Sequence, residues 1–199
     1  MDSKRIVGAV FSLSLTGLIP TSDGIAKYLG ISGEDATREV EKLVEQGMLK
    51  ENRRRLRLTD AGRRSIKVVF IGGGFEVIHQ GHLYTIDKAK SLGDVLVVSV
   101  ARDSTIRRRK KREPVSNEEE RVRLLSSLRQ VDLAILGVEG DIYETLERVA
   151  PDIVALGYDQ YHQESDVSKE SAKRGLKLKV VRLDSPYPAL KTTSILKEF

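Results

Sequence analysis

The chain has no cysteine among its 199 residues, which excludes a disulfide framework and any metal held by thiolates. It also lacks an apolar run that approaches a membrane span. The first residues, MDSKRIVGAVFSLSL, carry a short apolar stretch interrupted by Ser and Gly, with Pro20 beyond and no small-residue cleavage pattern. A cytoplasmic location with no membrane partner is therefore expected. Internal repeats and low-complexity segments are absent. Histidine is scarce: there are three, and two of them, His79 and His82, stand together. What is present is ordinary for a globular chain, with 40% hydrophobic and 32% charged residues supplying material for a core. The length suits a small module joined to a medium-sized domain. A net charge of +5 fits an anionic partner, and nucleotide and nucleic acid both qualify.

Residues 1–65 differ from the rest. Apolar Ile6, Val10, Phe11 and Leu13 predict a first helix, and Thr21, Ser22 and Asp23 offer caps for a short second one. A third helix, over 34–46, has Ala36, Val40, Leu43 and Val44 on one face, with Gly47 as its stop. Residues 48–51 and 55–59 read as two short strands around a polar tip. Three helices and a hairpin are the order of a winged helix-turn-helix, and GMLK…RLRLTDAG resembles the wing of such domains. Arg53, Arg54 and Arg55 at the proposed wing are candidate DNA contacts through phosphate. Against this, Glu34, Asp35, Glu39, Glu41 and Glu45 load the third helix with carboxylates, and the module holds 12 Lys+Arg against 9 Asp+Glu. Homodimerisation or another partner is the alternative role.

From about residue 66 strands and helices alternate. Strands are predicted at 68–71, 94–101 (DVLVVSVA), 132–137, 152–157 (DIVALG) and 176–182, with helices at 81–92, 117–129, 141–149, 165–174 and 192–199. Nearly continuous apolar strands are buried on both faces, as in parallel sheets. The expected fold is α/β, an open doubly wound parallel sheet of Rossmann-like type that binds ligands beyond the carboxyl ends of its strands. The domains are then 1–65, a winged helix-turn-helix, and 66–199. Residues 103–112, ending in the run RRRKKR, follow the second of these strands and would cover phosphates or form a solvated loop.

The stretch 67–82, KVVFIGGGFEVIHQGH, joins the first of these strands to glycines and the two histidines. Glycines at a strand end let backbone N–H groups approach an anion, and imidazoles can donate to phosphate oxygens or carry positive charge. A plain turn followed by satisfied histidines is the bland alternative. The string G-G-F-E-x-x-H-x-G-H resembles the G-T-F-D-x-x-H-x-G-H signature of the HxGH nucleotidyltransferases. That family includes glycerol-3-phosphate cytidylyltransferases, pantetheine-phosphate adenylyltransferases and archaeal FAD synthases. The segments AKSLGDVLVVSVARDST, REPVSNEEERVRLLSSL, VDLAILG and PDIVALGYDQ resemble the archaeal FAD synthases.

The resemblance implies an adenylyl or cytidylyl transfer in which an acceptor phosphate attacks the α-phosphorus of a nucleoside triphosphate and pyrophosphate leaves. His79, His82 and Lys111 are implied as catalytic, and Gly73, Gly74, Phe75, Gln80 and Gly81 as the cradle between them. Arg109 and Lys110 would reach the second substrate. Asp159, in Gly157-Tyr158-Asp159-Gln160, and Tyr187, Thr192 and Thr193, in a segment like the family's I-S-T-T, complete the implied nucleotide site. Mg²⁺ or another divalent cation would ride on the triphosphate, with no metal site formed by protein ligands alone. Two departures stand out: Gly74 replaces the usual Thr, and Glu76 the usual Asp. The leading expectation is FMN and ATP giving FAD. The alternatives are a CTP-dependent glycerol-3-phosphate cytidylyltransferase and a DNA-binding regulator with a nucleotide-sensing domain.

Overall fold

The computed structural model describes residues 2–190 and 192–195. The chain divides into two compact units, residues 1–67 and 68–199.

The first unit begins with helices α1 (Ser3–Leu15), α2 (Ser22–Leu29) and α3 (Gly33–Glu45). Each starts where a side chain can cap it: Asp2, Thr21 and Ser32 accept from backbone N–H groups two or three residues on. Ile6, Val10, Ile25, Val40 and Leu43 close around one small core. The antiparallel hairpin β1 (Leu49–Asn52) and β2 (Arg55–Leu58) adds Leu49 and Leu56 to the buried set. A fourth helix, α4 (Asp60–Ser65), occupies what the sequence suggested was the tail of the hairpin. Thr59 caps it by accepting from the Gly62 N–H at 3.0 Å. Glu39 is not part of the outer acidic face. Its carboxylate is buried and takes the Ser3 hydroxyl at 2.6 Å, which holds its pKa below the ordinary carboxylate value.

The second unit is a parallel sheet of five strands among the described residues, in the order β5-β4-β3-β6-β7. The strands are β3 (Val68–Gly73), β4 (Val95–Val100), β5 (Leu133–Leu136), β6 (Ile153–Leu156) and β7 (Lys179–Arg182). Between them run α5 (Gln80–Lys90), α6 (Asp103–Lys110), α7 (Glu118–Ser126), α8 (Ile142–Val149) and α9 (Glu164–Lys173), with α10 (Thr192–Ile195) last. The doubly wound α/β fold is thus present. Central β3 pairs with β4 on one side and β6 on the other, so strand order reverses there and the connections leave in opposite directions. That divergence opens a crevice at the carboxyl ends. Ile71, Leu96 and Val98 bury one face of the sheet against Ile86 and Leu125 from α5 and α7.

One segment departs from the expectation. Residues 103–110 are helix, not a loop. Arg and Lys are good helix formers, Asp103 sits favourably in the first turn, and buried Ile106 anchors the helix. The C-terminal helix is described only to Ile195, and residues 196–199 of the predicted span lie outside the described residues.

Candidate active site

The carboxyl ends of the strands surround a cavity of about 560 Å³. Its first wall is the predicted motif. Gly73, Gly74, Phe75, His79, Gly81 and His82 all line it. Phe75 takes φ +50°, a left-handed conformation that a bulky residue adopts at a cost on the order of 1 kcal/mol or more. Its ring is nonetheless buried and lies 5.3 Å from that of His82. His79 occupies the N-cap of α5 without making a side-chain cap, so its ring turns to His82 instead, with centroids 3.9 Å apart. Gly81 permits this arrangement, because a Cβ there would stand 3.1 Å from the His79 ring. The first amides of α5 have no carbonyl one turn earlier, which leaves them as donors for an anion.

The electrostatics differ from a simple cationic clamp. Burial depresses both imidazoles, that of His82 to about 4, aided by the neighbouring His79 and opposed by a hydrogen bond with the Val77 backbone. For His79 the Asp159 carboxylate acts against burial without overcoming it. Both rings are therefore neutral near pH 7 in the free protein. The Nδ1 atoms of both are buried and have no hydrogen-bond partner. Buried polar atoms rarely stay unpaired, and these two belong to adjacent residues of the cavity lining, which makes the pair a candidate for hydrogen bonds to a ligand.

The second wall comes from α6. Arg108, Arg109 and Lys110 line the cavity, whereas Lys111 does not. Lys111 is the exposed C-cap of α6, in the left-handed conformation at φ +55°. The direction of the basic segment is set by Glu76, whose side chain is fully buried. Glu76 accepts from Lys110 Nζ, from Arg112 Nη1 at 2.6 Å and from the Val115 N–H at 3.3 Å. Burial pushes this carboxyl up, but the Arg112 and Lys110 bonds and charges outweigh burial and hold it below the ordinary value. The Glu in place of Asp is therefore a structural anchor. Gly74, the other departure, has room for a side chain: a Cβ would meet Lys110 Nζ, Glu76 Oε2 and Ile106 Cδ1 at 3.8–3.9 Å.

Beneath both walls lies Arg121, a residue the sequence did not mark. It is 1% exposed. Nη1 donates to the carbonyls of Gly74 at 2.7 Å and Ala101 at 2.8 Å, Nε donates to Ser116 at 3.1 Å, and Nη2 bonds Asp103. One guanidinium thus ties the glycine turn, the end of β4 and the start of α6 together. Gln160 was also missed; its Nε2 donates to the Gly72 carbonyl across the β3–β6 divergence. Both residues lie inside segments that resemble the archaeal FAD synthases, but their role depends on contacts 47 and 88 residues away in sequence.

Of the other predicted residues, Asp159 and Thr192 line the cavity. Gln80 and Tyr187 do not. Gln80 is exposed at the start of α5, and Tyr187 stands edge-on to Tyr84, 6.3 Å between centroids. Thr193 belongs to α10, and its side chain lies outside what is described. The third histidine, His162, lines the same cavity, with Tyr143 and Tyr161 beside it. None of the three was singled out from the sequence.

The fold has relatives among known proteins. Residues 70–198 match the family model described as cytidylyltransferase-like. The FAD synthase of Aciduliprofundum boonei is 49% identical over 115 residues, covering 58% of this chain and 76% of that protein. The FAD synthase of Methanothermus fervidus is 47% identical over 131 residues, covering 63% and 90% respectively. Among solved structures, one described as the lipopolysaccharide core biosynthesis protein from Thermoplasma volcanium superposes with a TM-score of 0.58 at 42% identity, covering 60% of this chain and 98% of that one. A match that begins inside β3 and takes in every strand end lining the cavity has one meaning for descent: the chain belongs to the cytidylyltransferase-like family and is a nucleotidyltransferase.

Proposed function

We propose that this chain transfers AMP from ATP to the phosphate of FMN, giving FAD and pyrophosphate. The observation that carries the reading is the cavity over the β3–α5 turn, where two neutral histidines keep buried, unpartnered Nδ1 atoms beside a glycine cradle and a basic helix. The FAD synthases that align over this region narrow the acceptor to FMN.

In the reaction, an FMN phosphate oxygen forms a bond to the α-phosphorus of ATP while the bond from that phosphorus to the bridging oxygen breaks. The leaving pyrophosphate carries the electron pair. No covalent enzyme intermediate is needed, so the chain positions groups and stabilises charge. The amides of residues 73–75 and of the first turn of α5 would cradle the triphosphate. His79 and His82 would hydrogen-bond its oxygens, and that negative charge would favour their protonated forms. Arg108, Arg109 and Lys110 would neutralise charge from α6, in the place the sequence assigned to Lys111. Asp159 would accept from the ribose or base, with Thr192 at the start of α10.

Among the described residues no three His, Cys, Asp or Glu side chains stand together to hold a metal. A Mg²⁺ ion would be carried by phosphate oxygens and water. When bound, it neutralises phosphate charge.

The test is product formation by the purified chain with FMN and Mg²⁺, using ATP or CTP. FAD and pyrophosphate from ATP alone are expected. CDP-glycerol from CTP and glycerol 3-phosphate, with no FAD, would replace this reading by the polyol-phosphate one. His82→Ala should lower kcat by about 10²–10³ with the fold intact by circular dichroism, the range for loss of one charge-stabilising group. Wild-type turnover in that variant would remove His82 from the mechanism.

A further inference from the structure

The cavity has a second half that phosphate chemistry does not use. Away from the glycine cradle it is lined by Val138, Ile142 and Tyr143, and by the turn after β6 that carries Tyr161 and His162. Asp141 and Thr145 also line this part, but they already take the Tyr143 N–H and Arg174 and the Val138 N–H respectively, which leaves few partners for polyol hydroxyls beside the apolar and aromatic side chains.

Within it, Tyr161 and His162 stack on each other, centroids 3.8 Å apart with planes inclined by 37°. The Arg109 guanidinium lies over the Tyr161 ring at 4.2 Å and bonds its hydroxyl. A guanidinium is flat and delocalised, so the Tyr161 face already accommodates a planar π group. Tyr161 remains 58% exposed, an unusual state for a large aromatic ring carrying so much contact surface. The turn itself is firmly built. Arg182 donates to the carbonyls of Gly157 at 3.0 Å, of Gln160 at 3.1 Å and of His162, and holds both oxygens of Glu164 at 2.8 Å. The rings thus sit on a braced backbone, positioned before any ligand arrives.

We infer that Tyr161 and His162 form the platform on which the planar ring system of the acceptor stacks, and that this pair sets acceptor choice. The inference rests on the proposed FMN reading and adds the residues that recognise the flavin ring. Arg109 leaves the Tyr161 face as the ring arrives and turns its donors to the ring carbonyls or the acceptor phosphate. His162 is uncharged near pH 7, because burial and the nearby Arg109 both lower its pKa, and so it offers the ring a neutral face.

Two measurements on the full chain test this: quenching of FMN fluorescence on binding, and KM for FMN and for ATP. Flavin emission should be quenched by the wild type. Tyr161→Ala should weaken FMN binding roughly tenfold to a hundredfold, as removal of a stacking ring does elsewhere. It should lose the quenching and leave KM for ATP within about twofold. Tyr161→Phe and Tyr161→Trp should keep both properties, and His162→Ala should fall between. Retained quenching and unchanged KM for FMN in both alanine variants would overturn the platform even while FAD is made. Quenching that depends on Tyr161 in a protein that makes no FAD would keep the platform and discard the reaction. A wild type that neither quenches FMN nor makes FAD would overturn both.

Discussion

Two arginine-rich turns of this chain look alike in sequence and behave in opposite ways in the fold. At the tip of the β1–β2 hairpin, Arg53 and Arg54 take φ +50° and +62°, and Arg53, Arg54 and Arg55 are all exposed. At the end of α6, Lys111 takes φ +55°, but Lys110 and Arg112 on either side of it are drawn onto one buried carboxylate. A basic run therefore carries no direction of its own. Direction comes from a partner charge that cannot reach water, because a buried carboxylate left unpaired costs about 3–5 kcal/mol, whereas a solvated pair contributes about 0–1 kcal/mol. Glu76 supplies that charge in the second region. In the first, Glu39, the buried carboxylate of α3, is taken by Ser3 and Lys42 and not by the hairpin.

The sharpest way to break this contrast is Glu76→Ala. It leaves two cations beside a buried void, and we expect a loss of about 3 kcal/mol in urea unfolding, the low end for breaking a buried pair because Lys110 and Arg112 are each about one-third exposed. Activity should fall with it, since α6 loses its aim at the cavity. A loss below 1 kcal/mol would mean that Glu76 is not the anchor.

A second expectation concerns acid. The folded protein holds His82 near pKa 4 against the ordinary 6.5, so the unfolded chain binds its proton first as pH falls. Stability from this residue is complete above about pH 6.5 and is lost as pH drops towards 4. Allowing for solvent at a half-buried ring, the loss is about 1–2 kcal/mol. His82→Asn should flatten the dependence of Tm on pH over that window; an unchanged slope would place the acid sensitivity elsewhere.

The smallest effect belongs to the hairpin. Asn and Gly suit a two-residue turn with both φ positive, so Arg53→Asn with Arg54→Gly should stabilise by about 0.5–1 kcal/mol and leave catalysis unchanged. The same variant tests contact with nucleic acid. If these arginines meet DNA phosphates, the slope of log affinity against log salt should fall by about one for each charge removed. A slope that does not move would leave the hairpin as a solvated tip.

Much of the fold was legible because its signals are local. The apolar runs of β4 and β6, the cap Thr21, and Gly47 after α3 act on near neighbours through backbone hydrogen bonds. The same holds for Gly73 to His82, where the turn, the helix start and both histidines lie within ten residues. Helices α4 and α6 were not legible, since each is short and carries too few apolar residues to show a period; buried Ile106 alone marks the second.

By itself the sequence determined the doubly wound order and the glycine–histidine turn, because alternating apolar strands and a compact motif allow few arrangements. Tertiary structure alone decided which cations face the cavity, that the two histidines are neutral, that Arg121 braces the glycine turn, and that Gln160, Tyr161 and His162 line the cavity. Those outcomes depend on burial and on partners 34 to 88 residues away, as in the bonds from Lys110 to Glu76 and from Gln160 to Gly72. A charge or a ring acquires its energy from its surroundings, and the surroundings exist only once the sheet has brought the strand ends together.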